Sequence, residues 1–599
     1  MIFGGKNDYR QKYNSLDANV LINEENDGYQ IKTDTINLAN VVKIKLDGYF
    51  GPKNHRYRIK ASGSLDTLLQ DNFFPNIYED VIRQSKLNSR YVIEYNELRN
   101  DKNKYNFGKV IFSDFIFKSE EYEIFGSSDN ITVNFLNNYI ISKASKFKLN
   151  QDNFNFRAFT TKQNNILEYT LQGIGNISIK SLKETNLFGN LDYLDGNALS
   201  KLSLKFMKSG DNTNVVIILK SDMKGMSLDL FEPFAKRADD KKNLFVKYNI
   251  TNNKKRYVDI TFEDYDMRLY YQKGDAYLNV SSPSLQGSII IPAETTQENR
   301  LFAKLQYFNM NDFQGSADPS IYPHMEISIN RARIGNSIFN NMKLSSFRSR
   351  DGMTLDQLSF QNKNLSMNAS GKWVNVSGNQ ITFFDGNFSS SNFGKSLNEL
   401  GYRDIIKRGK LNSRMIGQWK GSPDLFSLEN FVGSITVSMT DGEFLQIQKE
   451  TKVIGQLLGL FSIASLQKRL SLDFSDFFSS GLSFDKMNGE FLFEKSIASV
   501  NNLNLSGTFG EMNISGTSNI KQQTHDQKLT YIPDLSSMSL ISGTLLGGPI
   551  GAVASIFYDK VLKEIGIDTN ELAAVEYTIK GSWKDPEINL VETFKPIKN

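Results

Sequence analysis

The sequence LNLSGTFGEMNISGT, residues 503–517, shows most clearly the pattern from which the fold is predicted. Apolar and polar residues alternate on both sides of its centre, with Leu503 and Leu505 before it and Met512 and Ile514 after it. Alternation with a period of two is typical of a strand with one apolar face, and glycine punctuates such runs at turns. Ser-Gly-Thr closes both halves, so we predict a strand that runs in, turns and runs back.

The same alternation, broken by Gly, Asn and Asp, recurs from about residue 17 to residue 530. Residues 202–206 and 258–262 are clear examples, and a third precedes Asp441-Gly442, a pair that predicts a turn. We therefore predict a mainly β protein. Its main feature is a long curled antiparallel β-sheet that forms an elongated apolar groove over residues 1–530, with a few short helices.

Helical patterns are few, and they cover residues 77–87, 395–408 and 453–470. A fourth, at 535–570, is an apolar, Gly-rich segment whose first part, 535–558, carries no charge. That length reaches the bilayer threshold, so three interpretations stay open: a helix packed on protein, a helix touching a membrane surface, and a true span. A closing strand at 571–590 and a tail at 591–599 would follow. The candidate membrane or packing residues are Gly543, Leu545, Leu546, Gly547, Ile550, Gly551, Val553, Ile556 and Phe557.

Composition excludes several functional classes. The chain has no cysteine, so disulfides, thiol catalysis and Cys-ligated metals are excluded. The charges are interleaved and sum to +4, which is unlike the basic stripe of a nucleic-acid-binding protein. His55, His324 and His525 each stand alone in a polar segment, which predicts surface positions. No catalytic motif is convincing, so we predict no catalytic residue, no metal ligand, no cofactor and no nucleic-acid partner.

So many strands and so few helices leave an apolar face that needs a partner. Either a second sheet packs on this face, or the sheet curls into a gutter lined with Phe, Ile and Leu. A gutter suits acyl chains, because apolar burial is non-directional and scales with area. A structural β-solenoid spacer or interaction protein is the alternative. The candidate groove-lining residues are Ile435, Val437, Met439, Leu503, Leu505, Met512 and Ile514.

Several motifs towards the C-terminus resemble the YhdP family of AsmA-like envelope proteins. They include Gly442-Glu-Phe444, Leu457-Leu-Gly459, Lys468-Arg-Leu470 and the closing run Tyr577-Thr-Ile-Lys-Gly581-Ser-Trp583-Lys-Asp585-Pro586. The resemblance is strongest from about residue 365 to residue 590, and within the predicted groove it is strongest over 365–530.

The resemblance implies a Gram-negative envelope protein of the periplasm that helps to carry phospholipid between the inner and outer membranes, without chemistry. Its partners would be phospholipid acyl chains and a membrane surface. Family members begin with an inner-membrane helix, whereas residues 1–15 here show neither that helix nor a signal peptide. We therefore expect association with the inner membrane through an N-terminal segment absent from this chain, or through an anchor protein.

Overall fold

The structure is a computed structural model. It describes residues 2–3, 11–12, 16–17, 19–25, 27–38, 42–65, 85–100, 103–120, 123–163, 166–185, 191–209, 212–230, 232–251, 257–313, 318–400, 405–445, 482–533, 573–583 and 585–596.

The chain divides into two compact units. Unit 1 comprises residues 1–273 and 277–283, and unit 2 comprises residues 274–276 and 284–599. Strands make up most of the described residues of both units, 74% of them in all, so the predicted mainly β fold is confirmed.

Unit 1 is a succession of antiparallel strands. Through most of it each strand pairs with the next along the chain, and a few shorter strands depart from this order. The strands are β1 (Ile2–Phe3), β2 (Gln11–Lys12), β3 (Leu16–Asp17), β4 (Val20–Glu25), β5 (Gly28–Thr33), β6 (Ile36–Leu38), β7 (Val42–Phe50), β8 (His55–Ser64), β9 (Ser85–Arg99), β10 (Lys104–Ser119), β11 (Ile124–Leu136), β12 (Tyr139–Ser142), β13 (Ser145–Leu149), β14 (Asp152–Gln163), β15 (Ile166–Ser178), β16 (Leu194–Ser209), β17 (Asn212–Ser221), β18 (Met226–Leu228), β19 (Leu244–Thr251), β20 (Tyr257–Phe262), β21 (Tyr265–Gln272) and β22 (Asp275–Ser281).

Unit 2 follows the same plan with one exception, a parallel pair formed by residues 301–309 and 325–334. A parallel pair needs a crossover connection, and residues 310–324 supply it here. The strands are β23 (Leu285–Ile291), β24 (Leu301–Asn309), β25 (Met325–Ile334), β26 (Ser337–Ser349), β27 (Gly352–Gln361), β28 (Leu365–Val376), β29 (Asn379–Ser390), β30 (Ile406–Lys420), β31 (Val432–Phe444), β32 (Leu482–Glu494), β33 (Ile497–Gly507), β34 (Gly510–Asn519), β35 (Thr524–Pro533), β36 (Ala573–Ser582) and β37 (Pro586–Pro596).

Helices are short throughout the described residues. They are α1 (Ile179–Lys183), α2 (Phe393–Glu399) and three 3-10 turns at Met310–Asp312, Pro319–Ile321 and Pro423–Leu425. The helix predicted at 395–408 is wrong at its end, because β30 begins at Ile406; residues 401–404 lie outside the described residues. The helix predicted at 77–87 is likewise wrong at its end, where residues 85–87 open β9; its remainder, 77–84, and the predicted helices at 453–470 and 535–570 lie outside the described residues.

The hairpin predicted from residues 503–517 is confirmed. β33 and β34 pair with Leu505 opposite Met512 and Leu503 opposite Ile514, so all four side chains share one face. The turn predicted at Asp441-Gly442 is wrong, because β31 continues through it to Phe444. Asp441 instead takes a positive φ of 57° inside the strand, and the pairing with residues 406–420 keeps the same register on both sides of it.

The C-terminal end also differs from the predicted single strand at 571–590. β36 and β37 form an antiparallel pair joined at Gly581 and Pro586, and β37 runs on to Pro596. Most of the predicted tail is therefore strand. β36 pairs on its other side with β35.

The main core of unit 2 lies among strands β30 to β36. Phe431, Leu503, Leu529, Tyr531 and Ile579 have no exposed surface. Each such side chain contributes roughly 1.5–3 kcal/mol relative to exposure to water. This cluster, which we call the closed core, includes Met439, Leu505, Met512 and Ile514 as well.

Candidate functional site

One face of unit 1 carries rows of apolar side chains that run across many strands. In β7, Val42, Ile44 and Leu46 are half-buried, whereas the alternate residues Lys43 and Lys45 are exposed. Strand register carries this division to the neighbouring strands, where Leu46 lies opposite Ile59, and Ile59 opposite Tyr95. We call the half-buried apolar side the inner face of unit 1.

A longer row crosses β14 to β21 in register. It comprises, in order across the sheet, Phe156, Gly173, Leu202, Leu219, Val246, Ile260 and Met267. Gly173 has a packing reason, because an added Cβ would lie 2.3 Å from the Phe156 ring. Seven strands at about 4.8 Å spacing make this row about 30 Å long.

A chain of aromatic contacts joins the two parts of the inner face. Phe112 contacts Phe115, Phe115 contacts Phe147, and Phe147 contacts Phe156, with ring centroids 5.4–6.4 Å apart. These rings link β10 to β14, so the apolar side chains of the two parts belong to one face.

A small cluster of buried residues covers one end of the strands of unit 1. Ile179 of α1 packs with Ala198, Met223, Met226 and Phe262, which lie at or beside the ends of β16, β17, β18 and β20. Along the middle of the same strands, Leu202, Leu204, Ile217, Leu219, Val246 and Ile260 stay half-buried. The inner face is therefore covered at this end and partly accessible along the strands.

A polar group interrupts the inner face at the ends of β8, β9 and β10. The Glu97 side chain is only 7% exposed. Its Oε2 atom accepts hydrogen bonds from the Tyr95 hydroxyl at 2.7 Å and the Tyr57 hydroxyl at 2.9 Å, and the Lys104 ammonium lies 3.1 Å away. Asn106 lies opposite Glu97 in the ladder. Burial alone would raise the pKa of the Glu97 carboxyl, but the donors Tyr95, Tyr57 and Lys104 together hold that pKa below its ordinary value.

The pKa values of the two tyrosine hydroxyls shift in the opposite direction, upwards. Burial and the Glu97 carboxylate raise the pKa of both the Tyr95 and the Tyr57 hydroxyl. Glu97 is therefore ionised and both hydroxyls are protonated near neutral pH. We call His55, Tyr57, Tyr95, Glu97, Arg99, Lys104 and Asn106 the Glu97 cluster.

The seven groove-lining residues predicted from the sequence come together in unit 2, in or against the closed core. Met439, Leu503, Leu505, Met512 and Ile514 are 3% exposed or less, and the partly buried Ile435 and Val437 pack against them. They share a face, as predicted, and that face is covered by protein. The nine candidate helix residues, from Gly543 to Phe557, lie outside the described residues.

The predicted groove over residues 1–530 included the strands of unit 1, but sequence reasoning named no lining residue there. The repeated unit Tyr57-Arg-Ile59-Lys-Ala61-Ser-Gly63 was a usable signal, because it marks β8 as a strand with one apolar side. Nothing in the sequence placed Glu97 beside Tyr57, which lies 40 residues away.

Other site types find little support in the part of the chain that the structure describes. No group of three or more His, Asp or Glu residues there could hold a metal ion, and no described helix has the length and hydropathy needed to cross a membrane. A cavity of about 940 Å³ on unit 2 has a lining dominated by Asn, Ser and Gln, including Asn341, Asn387 and Asn412, so it does not match an apolar ligand.

One histidine prediction was wrong. His525 is 5% exposed, packs on the Trp583 ring at 5.6 Å and lies 2.9 Å from the Ser518 hydroxyl. Burial lowers the pKa of His525 to about 4, so the ring is neutral near pH 7.

These features define a class: a repetitive antiparallel β protein whose strands each contribute alternate apolar side chains to one face, without a recognisable catalytic centre among the described residues. The family model described as YhdP protein matches residues 256–588, more than half of the chain. The chain belongs to the YhdP family.

A curated relative gives a second comparison. The "Intermembrane phospholipid transporter YhdP" of Escherichia coli (strain K12) is 24% identical over 225 residues. The match covers 38% of this chain and 17% of the relative, so the chain matches less than a fifth of that protein's length. Most of unit 1 lies before the family match begins.

Proposed function

We propose that this chain is part of a lipid conduit of the cell envelope. Phospholipid acyl chains lie along the inner face of unit 1 while the lipids pass between the inner and outer membranes across the periplasm. The chain performs no chemistry in this role. The observation that carries the proposal is the half-buried row from Phe156 to Met267, which stays apolar over seven strands.

Dimensions support the proposal. The row is about 30 Å long, which is similar to the thickness of the whole hydrocarbon core of a bilayer and about twice that of one leaflet. An acyl chain on such a surface gains roughly 25 cal/mol for each Å² of apolar area removed from water. That gain needs no particular residue, so lipids can shift along the face without breaking specific bonds.

Family membership supports the same role, since the curated relative is an intermembrane phospholipid transporter. Attachment to the inner membrane through a segment outside this chain, and contact of residues 535–570 with a membrane surface, are part of the proposal.

A second function, a structural spacer of the envelope, is favoured by the closed core. Leu503 and Leu529 have no exposed surface, so the burial of strands β32 to β36 supports a packing role for them. We therefore assign lipid contact to unit 1, and stability to the predicted groove-lining residues of unit 2.

The test is native mass spectrometry with lipid extraction on the purified full chain. Ile217 and Ile218 are adjacent and both half-buried, but Ile217 shares the inner face with Leu204 whereas Ile218 shares the opposite face with Ser203. Ile217→Asp should lower the phospholipid bound per chain several-fold, and Ile218→Asp should leave it near the wild-type level.

Circular dichroism on both variants checks that each is folded. A wild-type chain that carries no phospholipid, or two variants that lose lipid equally, would contradict the conduit and favour the spacer.

A further inference from the structure

The Glu97 cluster is an unusual feature of an otherwise apolar face. Burying a charged carboxylate costs free energy unless it is paired and hydrogen-bonded, and here three donors all point at one oxygen. Tyr95, Tyr57 and Lys104 all contact Oε2, and Oε1 accepts no hydrogen bond from the described residues. A carboxylate can accept at both oxygens, so half of its capacity is left over.

Two neighbouring polar atoms also lack a hydrogen-bond partner. The Asn106 Oδ1 and His55 Nδ1 atoms are buried without a hydrogen-bond partner. Leaving a buried polar group without a hydrogen bond costs free energy. A ligand with N–H donors would lower that cost at this end of the inner face.

Cations complete the cluster. Arg99 lies opposite both His55 and Lys104 in the strand ladder, and no carboxylate of the described residues is within ion-pair distance of it. Arg99 and Glu97 are two residues apart on β9, so their Cα atoms are about 7 Å apart. A carboxylate with an unfilled oxygen therefore lies beside two cations, and this arrangement suits a small zwitterion with an ammonium and a phosphate.

The surroundings favour a zwitterion that is attached to acyl chains. Phe50, Tyr57, Tyr95 and Phe135 form a line of ring contacts 5.4–6.1 Å apart across the strands. Tyrosine has an apolar body and a polar tip, which suits a boundary between an apolar and a wet region. One step along the strands, Leu46 and Ile59 begin the apolar rows.

We propose that the Glu97 cluster binds the phosphoethanolamine head group of a phospholipid, with the ammonium on Glu97 Oε1 and the phosphate on Arg99 and Lys104. This inference rests on the proposed function, because the acyl chains of the same lipid lie on the inner face. It adds a selectivity for primary-amine head groups that an apolar surface alone would not have.

The experiment uses the full chain and vesicles of equal parts dioleoyl phosphatidylethanolamine and dioleoyl phosphatidylcholine. After equilibration and repurification, mass spectrometry measures the ratio of the two bound lipids. Phosphatidylcholine has the same net charge and no N–H donor, so we expect roughly tenfold enrichment of phosphatidylethanolamine, as one charge-assisted hydrogen bond would give.

Glu97→Gln should bring the ratio towards that of the vesicles without lowering total bound lipid. The matched control is Glu94→Gln, three residues away on β9, where Glu94 contacts Lys60 and Lys109 on the opposite face. An unchanged ratio in folded Glu97→Gln would overturn the inference.

A second series needs no variant, so it stands even if Glu97→Gln fails to fold. Stepwise N-methylation of the lipid ammonium should lower binding to the wild-type chain at each step, and a flat series would overturn the inference. Retention of soluble phosphoethanolamine in place of lipid would reassign the cluster to a free metabolite. Lipid binding without head-group preference would overturn only this inference, whereas no lipid binding at all would overturn the proposed function.

Discussion

In unit 1 the alternate apolar residues of β16, such as Leu202 and Leu204, are half-buried. In unit 2 the corresponding residues of β33, Leu503 and Leu505, are 0% and 1% exposed. Both strands show the same alternation in sequence. Alternation therefore specifies which side chains share a face, whereas the cover on that face depends on residues distant in sequence.

Aromatic packing accounts for part of the difference. The closed core contains contacts such as Phe431 with Phe493 at 5.4 Å and Trp419 with Phe426 at 5.1 Å. The first of these contacts joins residues 62 positions apart in the sequence. Close-packed interiors of this kind leave no room for a ligand.

Polar residues show the same contrast. In unit 2, Gln527 donates to the Ser518 hydroxyl at 2.9 Å, and that hydroxyl pairs with His525. These neutral groups satisfy one another inside the closed core. In unit 1, the Glu97 cluster keeps a charge and an unfilled oxygen, so its polar groups can accept a ligand.

The largest effect should come from a charge placed in the closed core. Leu505→Asp would bury an unpaired carboxylate and remove apolar contacts, at a cost of more than about 4 kcal/mol. We expect residues 482–533 to lose protection from amide hydrogen exchange, as measured by mass spectrometry. Asn504→Asp, the next residue along β33, is the control and should keep it. Normal protection in Leu505→Asp would mean that this core is open like the inner face of unit 1.

Truncating one leucine to alanine in each unit should give a smaller effect, again with the larger loss of stability in the closed core. Leu529 lies between Ile514 and Tyr577 with no exposed surface, so Leu529→Ala should cost about 2–5 kcal/mol through lost contacts and a cavity. The half-buried Leu204 should cost about 1 kcal/mol when changed to Ala, since water already reaches it. Urea unfolding of both variants measures the two values, and equal costs would remove the distinction between the two faces.

Acid should destabilise the closed core through His525. Burial lowers its pKa from 6.5 to about 4, so between these values the unfolded chain binds a proton that the folded chain does not. The His525 contribution is therefore complete above about pH 6.5 and is lost as the pH falls to about 4, by about 3 kcal/mol in all. His525→Gln should flatten this part of the stability curve in urea unfolding. An unchanged slope would assign the acid sensitivity to other groups.

Much of the strand pattern was predictable from the sequence, because alternation and glycine are local signals. The hairpin at 503–517 was predicted, and the structure supplies its register. Asp441-Gly442 misled, because the pair lies inside β31, where pairing with β30 continues past it in unchanged register. The helix at 395–408 was too long, because the pairing of β30 with β29 and β31 overrides local helical preference from Ile406 onwards.

The candidate site was less predictable for a physical reason. Leu505 and Leu204 each alternate with polar neighbours, so no local rule separates a covered apolar residue from an accessible one. His525 looked like a surface residue for the same reason, since its burial comes from Trp583, 58 positions away. The Glu97 cluster likewise depends on β8, β9 and β10 being in register.

The smallest expected effect concerns the donors around Glu97. Tyr57→Phe removes one hydrogen bond to the carboxylate, which should cost about 1–2 kcal/mol near neutral pH. The folded pKa of Glu97 is depressed, so its contribution exists above its unfolded pKa and is lost as the pH falls through the folded value. The same substitution in a Glu97→Gln background should cost clearly less, since the charged acceptor is gone. A double-mutant cycle, read from hydrogen exchange of residues 85–100, measures this coupling. Zero coupling would mean that Tyr57 only packs on Phe50, and the contrast between a charged cluster in unit 1 and a neutral one in unit 2 would then rest on Tyr95 and Lys104.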